Sequence, residues 1–297
     1  MRQIISRHKK LIGYAIYGIL LTIGLLYFRF PSESLKGYLL ATADRLAPRY
    51  LVSFKGIGLS FPPGLKLVKP RLSLRETPDA RLFTAESLLV RPMIGSLIKG
   101  ENKYYFACQA NRGDITGRID FKKNSVDSPI STSIQLKDIR INDYGLLPII
   151  GRNIRGILCG SITYSGQYQS LIYGAGEADL LITGGHVELI EPIADFDSID
   201  FNDLRIKILL EKQKINLTSV ELRGKLIQGS LSGNINLKTD LSRSILDLKG
   251  TLEPLAGFAK GNDGAMAILD FLKKRMNKGK LSFVISGTLG QPAFRFI

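Results

Sequence analysis

From about Tyr50 onward, one run after another places apolar residues at every second position. Ile57, Leu59 and Phe61 alternate with glycine and serine, and Leu65 and Leu67 continue the beat after the turn signal Pro62-Pro63-Gly64. Successive side chains of a strand point to opposite faces, so a period of two puts one kind of residue on each face. A chain patterned this way cannot bury itself as a helical bundle. It needs an antiparallel sheet with one apolar and one wetted face. Further strand-like runs cover roughly 81–90, 103–111, 113–121, 130–139, 155–165, 168–183, 199–211, 214–223, 225–237, 245–253, 280–289 and 292–296, and Gly, Asn and Asp stand between them. Leu72 and Leu74 fall on the opposite parity from Leu65 and Leu67, with Pro70 between, which predicts an edge strand or a bulge.

Some of these runs resemble one another. Residues 112–121 read RGDITGRIDF, residues 155–164 read RGILCGSITY, and residues 229–237 read GSLSGNINL. The shared beat places Gly117, Gly160 and Gly233 on the same face as apolar residues such as Ile115, Ile119 and Phe121. Glycine there leaves space for a neighbour or permits a bend. The expectation is a set of repeated strand units in a sheet curved by twist and glycine, with its apolar side forming a groove.

Ahead of the strands lies a different signal. Residues 11–28 read LIGYAIYGILLTIGLLYF, without a charge, preceded by Arg2, Arg7, Lys9 and Lys10. A helix of that length spans about 27 Å, close to the hydrocarbon thickness of a bilayer. The basic flank keeps the N-terminus in the cytoplasm. The run is longer than a signal peptide's apolar region and is followed by Tyr27-Phe28-Arg29-Phe30-Pro31 rather than a small-residue cleavage site. The expected organisation is a basic tail over 1–10, a transmembrane helix over 11–28, a linker with an amphipathic helix over 29–50 and an exported β domain over 51–297. Helical spacing runs from Ser32 to Ala47, where Pro48 stops it, and again from Asp263 to Asn277, ahead of Gly279. Both read as short helices that cap the sheet.

The net charge is +15, from 41 Lys and Arg against 26 acidic residues. Such a balance suits solubilising charge on strand edges or contact with anionic lipid. Nucleic acid is not an expected partner, because the bulk of the chain is read as lying across a membrane from it. Cys108 and Cys159 fall in strand-like segments, and an exported location leaves both a disulfide and two buried thiols open. Of the two histidines, His8 precedes the anchor and His186 follows Gly184-Gly185 in an expected turn. No Gly-x-Ser-x-Gly elbow, Cys-x-x-Cys pair or phosphate loop is present. Asp195, Asp197, Asp200 and Asp203 cluster without the spacing of a calcium loop and read as a solvated connection. No catalytic residue, metal or cofactor is expected.

Three segments carry a family resemblance. Phe61-Pro62-Pro63-Gly64-Leu65-Lys66-Leu67, soon after an N-terminal anchor, resembles the type II secretion system protein N family in its short, delta-proteobacterial form. Residues 89–100 (LVRPMIGSLIKG) and 286–296 (SGTLGQPAFRF) are similar to that family too, the last also to the wider AsmA-like group. The resemblance implies an inner-membrane, single-pass protein whose periplasmic domain is a long curved β-sheet with a hydrophobic groove, and it brings no catalytic residues. The function expected from it is a non-enzymatic accessory component of type II secretion, partnered by other subunits of that apparatus. The alternative is a lipid-binding or lipid-transfer module that shields acyl chains in the groove, lined by Ile115, Ile119, Phe121, Ile162 and Tyr164.

Overall fold

The structure, a computed structural model, describes residues 13–14, 17–18, 21–22, 24–25, 29–75, 78, 81–110, 112–122, 129–141, 154–193, 196–255, 276 and 279–297. Helix α1 (Ser32–Leu46) comes first, then β1 (Tyr50–Ser53), β2 (Gly56–Ser60), β3 (Gly64–Val68), β4 (Arg71–Leu74), β5 (Arg81–Thr84) and β6 (Ser87–Pro92). A one-turn helix α2 (Ile94–Leu97) leads to β7 (Asn102–Ala110), β8 (Gly113–Phe121), β9 (Pro129–Arg140) and β10 (Ile154–Gln167). The long strands β11 (Ala175–Ile193) and β12 (Phe196–Glu211) follow, then β13 (Lys214–Gly224), β14 (Ile227–Asn236), β15 (Ile245–Pro254), β16 (Leu281–Thr288) and β17 (Gln291–Phe296).

The protein is mainly β, as the alternation requires. Fourteen strands form one antiparallel sheet in the order β17 to β6 without a break, then β3 and β2. Each strand from β6 onward pairs with its neighbour in the chain, so the sheet grows by successive hairpins. A three-stranded sheet, β1-β4-β5, stands beside it.

The two sheets are joined by a corner. β1 runs into β2 through Phe54 and Lys55, β3 into β4 through Lys69 and Pro70, and β5 into β6 through Ala85 and Glu86. Phe54, Pro70 and Ala85 are buried on the inside of the bend, while Lys55, Lys69 and Glu86 are exposed outside it. Backbone hydrogen bonds continue across the bend, from Lys55 N to Val68 O at 2.8 Å, Lys69 N to Glu86 O at 3.0 Å and Ala85 N to Pro70 O at 3.0 Å. Strands that switch sheets at a corner are a known way to close a core between two sheets. The parity switch around Pro70 therefore marks a corner rather than an edge or bulge. Ala85, Cys108 and Ala110 form a small core behind it, with Phe83, Leu88 and Ile115 packed around them.

Along the large sheet the faces stay separate. Cross-strand register lines up Leu88, Cys108, Ile115 and Leu136 on one face. On the other it lines up Arg91, Tyr105, Arg118, Ser133, Thr163 and Glu177. Bulges keep the apolar face in phase. In β9, Lys137 and Asp138 stand against the single Cys159 of β10, with Asp138 at φ 53°, so that Ile139 returns to the apolar side and is 3% exposed. A similar shift in β13 puts Thr218 and Ser219 against Ser232 of β14.

Next to the residue that faces each bulge stands a glycine of the sequence pattern. Gly160 and Gly233 adopt φ of 153° and 136°, a region side chains avoid. At each, an added Cβ would run into the carbonyl and Cα of the strand beyond, Asp179 and Leu180 for Gly160, Asp247 and Leu248 for Gly233. Gly117 differs. Its backbone is ordinary and its register regular, and the Phe106 ring lies where its Cβ would be. The same relation recurs where Phe201 covers Gly185 and Phe283 covers Gly250, each a cross-strand pair. An aromatic ring over a facing glycine restores the packing the glycine lacks.

Three expectations need correction. Residues 168–173 form a 3-10 turn, not the start of a strand, because Tyr164 of β10 reaches over Gly166, Gly174 and Gly176 and donates its hydroxyl to Leu171 O at 3.0 Å. His186 lies within β11, not in a turn, since Gly184 at φ 57° is absorbed as a bulge and the strand continues to Ile193. Asp200 and Asp203 belong to β12, which begins at Phe196, rather than to a connection. Among the described residues no helix is long and apolar enough to cross a membrane. Of the run 11–28, Gly13, Tyr14, Tyr17, Gly18, Leu21, Thr22, Gly24 and Leu25 are described and helical. The helix expected over 263–277 lies almost wholly outside the described residues.

Candidate functional site

The five residues expected to line a groove stand on one face of neighbouring strands. Ile115, Ile119 and Phe121 project from β8. Thr132 of β9 puts Ile119 in register with Tyr164 of β10, and Ile134 puts Gly117, between Ile115 and Ile119, in register with Ile162. Their surroundings divide them. Ile115 packs on the small core behind the corner. Tyr164 is held by its hydrogen bond to Leu171 O, and burial pushes its phenol pKa upward. Ile119 and Ile162 are half-buried, and Phe121, 39% exposed, meets Tyr104 edge-on at 5.8 Å. The open part of this apolar surface is therefore centred on Ile119, Phe121 and Ile162.

A second surface escaped the sequence reading. A hollow of about 550 Å³ lies on the polar side of β8 to β12. Its floor is made of short hydroxyl side chains, Ser131 and Ser133 opposite Ser165 and Thr163, and Arg118, Asp120 and Glu177 rise around them. One carboxylate oxygen of Asp120 is shielded from solvent without a hydrogen-bond partner. The only sequence signal was Ser and Thr at alternate places in Ser131-Thr132-Ser133 and Thr163-Tyr164-Ser165, a pattern any solvated strand can carry.

His186 Nδ1 lies 2.7 Å from Asp200 Oδ1 across β11 and β12, and that carboxylate is 84% exposed. An exposed pair of this kind contributes little to stability. Among the described residues no group of three or more His, Cys, Asp or Glu is placed to hold a metal. Cys108 and Cys159 are both free thiols. Burial pushes Cys108 up to about 11, which leaves it protonated and unreactive near neutrality, while the Cys159 sulfur accepts from Asp138 N at 3.3 Å within the β9 bulge.

Fold and surface together define a class: a mainly β protein built on a long open antiparallel sheet, apolar on one face and hydroxyl- and charge-bearing on the other. No family model, curated protein or solved structure matches the chain.

Proposed function

We propose that this chain is a non-enzymatic accessory component of a type II secretion apparatus, anchored in the inner membrane by residues 11–28 with its β domain in the periplasm. The observation that carries the reading is the edge of the large sheet at β17, open among the described residues. Ile297 donates its N–H back to Ser282 O at 3.0 Å. By antiparallel alternation, Phe294 and Phe296 then turn their backbone groups outward, and Pro292, which has no N–H, occupies the next outward position. An unpaired edge of this kind can take a strand from another protein. The resemblance of residues 61–67, 89–100 and 286–296 to the secretion subunit supports the same assignment. Cross-linking in membranes of the native host, followed by affinity purification, is expected to recover other secretion subunits. Recovery of none of them would remove the proposal. Protease added to intact spheroplasts should digest the β domain, and full protection would reverse the topology.

A second reading, a lipid-binding module, is favoured by the half-open apolar face around Ile119, Phe121 and Ile162. Each methylene covered there is worth about 0.8 kcal/mol. Gently purified protein should carry phospholipid detectable by native mass spectrometry, and Ile119→Glu with Ile162→Glu should abolish it. Equal lipid content in wild type and variant would count against this reading.

A further inference from the structure

At the corner between the two sheets, a hollow of about 270 Å³ is lined by Ser53, Phe54, Lys55, Lys69 and Arg71. Three of the five are cations and none is an acid. Phe54, 7% exposed, forms its apolar floor. The fold brings the cations together, since Lys55 and Lys69 both stand on the outside of the bend and Arg71 of β4 is the cross-strand partner of Ser53. None of the three cationic head groups has an acidic partner among the described residues. Glu86 is the next exposed residue along the outside of the bend, yet it does not line the hollow. Three cations around one depression, with room for a phosphate and several waters at about 30 Å³ each, are a ready receptor for a phosphate-bearing anion.

The position of the hollow indicates where that anion comes from. Lys36 Nζ lies 3.5 Å from Lys55 O, which places the hollow against the start of α1. Lys36 is only eight residues beyond Phe28, the end of the apolar run. We infer that the corner hollow formed by Lys55, Lys69 and Arg71 is a binding site for the phosphate headgroup of an anionic phospholipid in the adjacent membrane leaflet. The lipid source rests on residues 11–28 being a membrane anchor; the anion site itself does not.

The test uses the full-length protein in maltoside micelles, titrated calorimetrically with short-chain phosphatidylglycerol, short-chain phosphatidylcholine and orthophosphate. Phosphatidylglycerol is expected to bind in a salt-sensitive manner and more tightly than the other two. The triple variant Lys55→Gln, Lys69→Gln, Arg71→Gln should bind it about a hundredfold more weakly, at about a factor of five per cation, with an unchanged melting temperature. Lys225→Gln, Lys238→Gln, Lys249→Gln removes the same charge from exposed positions elsewhere and should leave binding intact. Equal weakening in both triple variants would reduce the site to non-specific charge and overturn the proposal. Orthophosphate binding as tightly as phosphatidylglycerol would overturn the lipid source. Because micelles impose no topology, failure here is distinct from failure of the protease experiment.

Discussion

At residue scale, the two thiols test the packing most directly. Cys108 is 5% exposed behind the corner, whereas Cys159 is half-buried at a bulge. Maleimide at pH 7.5 should therefore label Cys159 and reach Cys108 only on unfolding; equal labelling rates in the native protein would contradict the small core. The same thiol predicts a pH dependence. Burial pushes the Cys108 thiol up from its ordinary 9.0 to about 11 in the folded protein. The folded state thus holds its proton more tightly, so this contribution to stability is full below pH 9 and is lost as pH rises from 9 to 11. Urea melts of wild type and Cys108→Ala across that window should show a steeper decline in the wild type, and parallel declines would refute the assignment. A disulfide stayed open in the sequence beside two buried thiols, because pairing depends on strand order, which two isolated cysteines do not encode.

The glycines show the same limit. Periodicity placed Gly117, Gly160 and Gly233 on one face, and register confirms the face. It did not separate Gly160 and Gly233, which adjoin bulges at positive φ, from Gly117, which makes room for Phe106. Gly160→Ala and Gly233→Ala should each cost about 1–3 kcal/mol in backbone strain. Gly58→Ala, with open space around its Cβ, should be near neutral. Chemical denaturation of the three variants checks the order, and equal effects would remove the strain argument.

At the scale of elements, strand existence was written in the alternation while strand ends were not. The run over 168–183 alternates well enough to pass for one strand, yet its first third is a 3-10 turn, held by the Tyr164 hydroxyl on Leu171 O and by Gln213 N on Ile172 O. The corner at Pro70 left a trace as a change of parity, but parity cannot distinguish a bulge from a bend between sheets. The last hairpin offers a quantitative test. Phe283 of β16, 7% exposed, covers Gly250 and stacks on Phe294 of β17 at 5.1 Å, and Phe294 meets Phe296 at 4.9 Å. Phe283→Ala should cost about 3 kcal/mol or more, as a buried aromatic does. Phe294→Ala, 52% exposed, should cost much less. A double-mutant cycle should return a coupling near 1 kcal/mol; a coupling of zero would mean that β17 is held by its backbone alone.

At the scale of the whole molecule, the order of the large sheet follows the order of the chain, from β6 to β17. A sheet in which each strand touches only its sequence neighbours behaves as a nearly one-dimensional array, whose stability is a sum of strand and neighbour-interface contributions. This explains why the class of fold was legible from a local pattern: local alternation fixes the faces, and hairpin succession leaves little long-range topology to guess. It also explains why a site was not legible. Surfaces made by register, such as the hydroxyl floor of β9 and β10 or the cations at the corner, join residues whose neighbourhood is set by bulges and bends rather than by spacing. The array predicts unfolding in stages. In hydrogen exchange, β17 should open first and β10 to β13 last, because the interior strands are paired on both sides. Ending the chain after Asn236 would remove β15 to β17 and make β14 the new edge; the strands from β6 to β13 should then keep their exchange protection. Loss of protection throughout the sheet on that truncation would mean that the fourteen strands fold as one cooperative unit, and the one-dimensional description would fail.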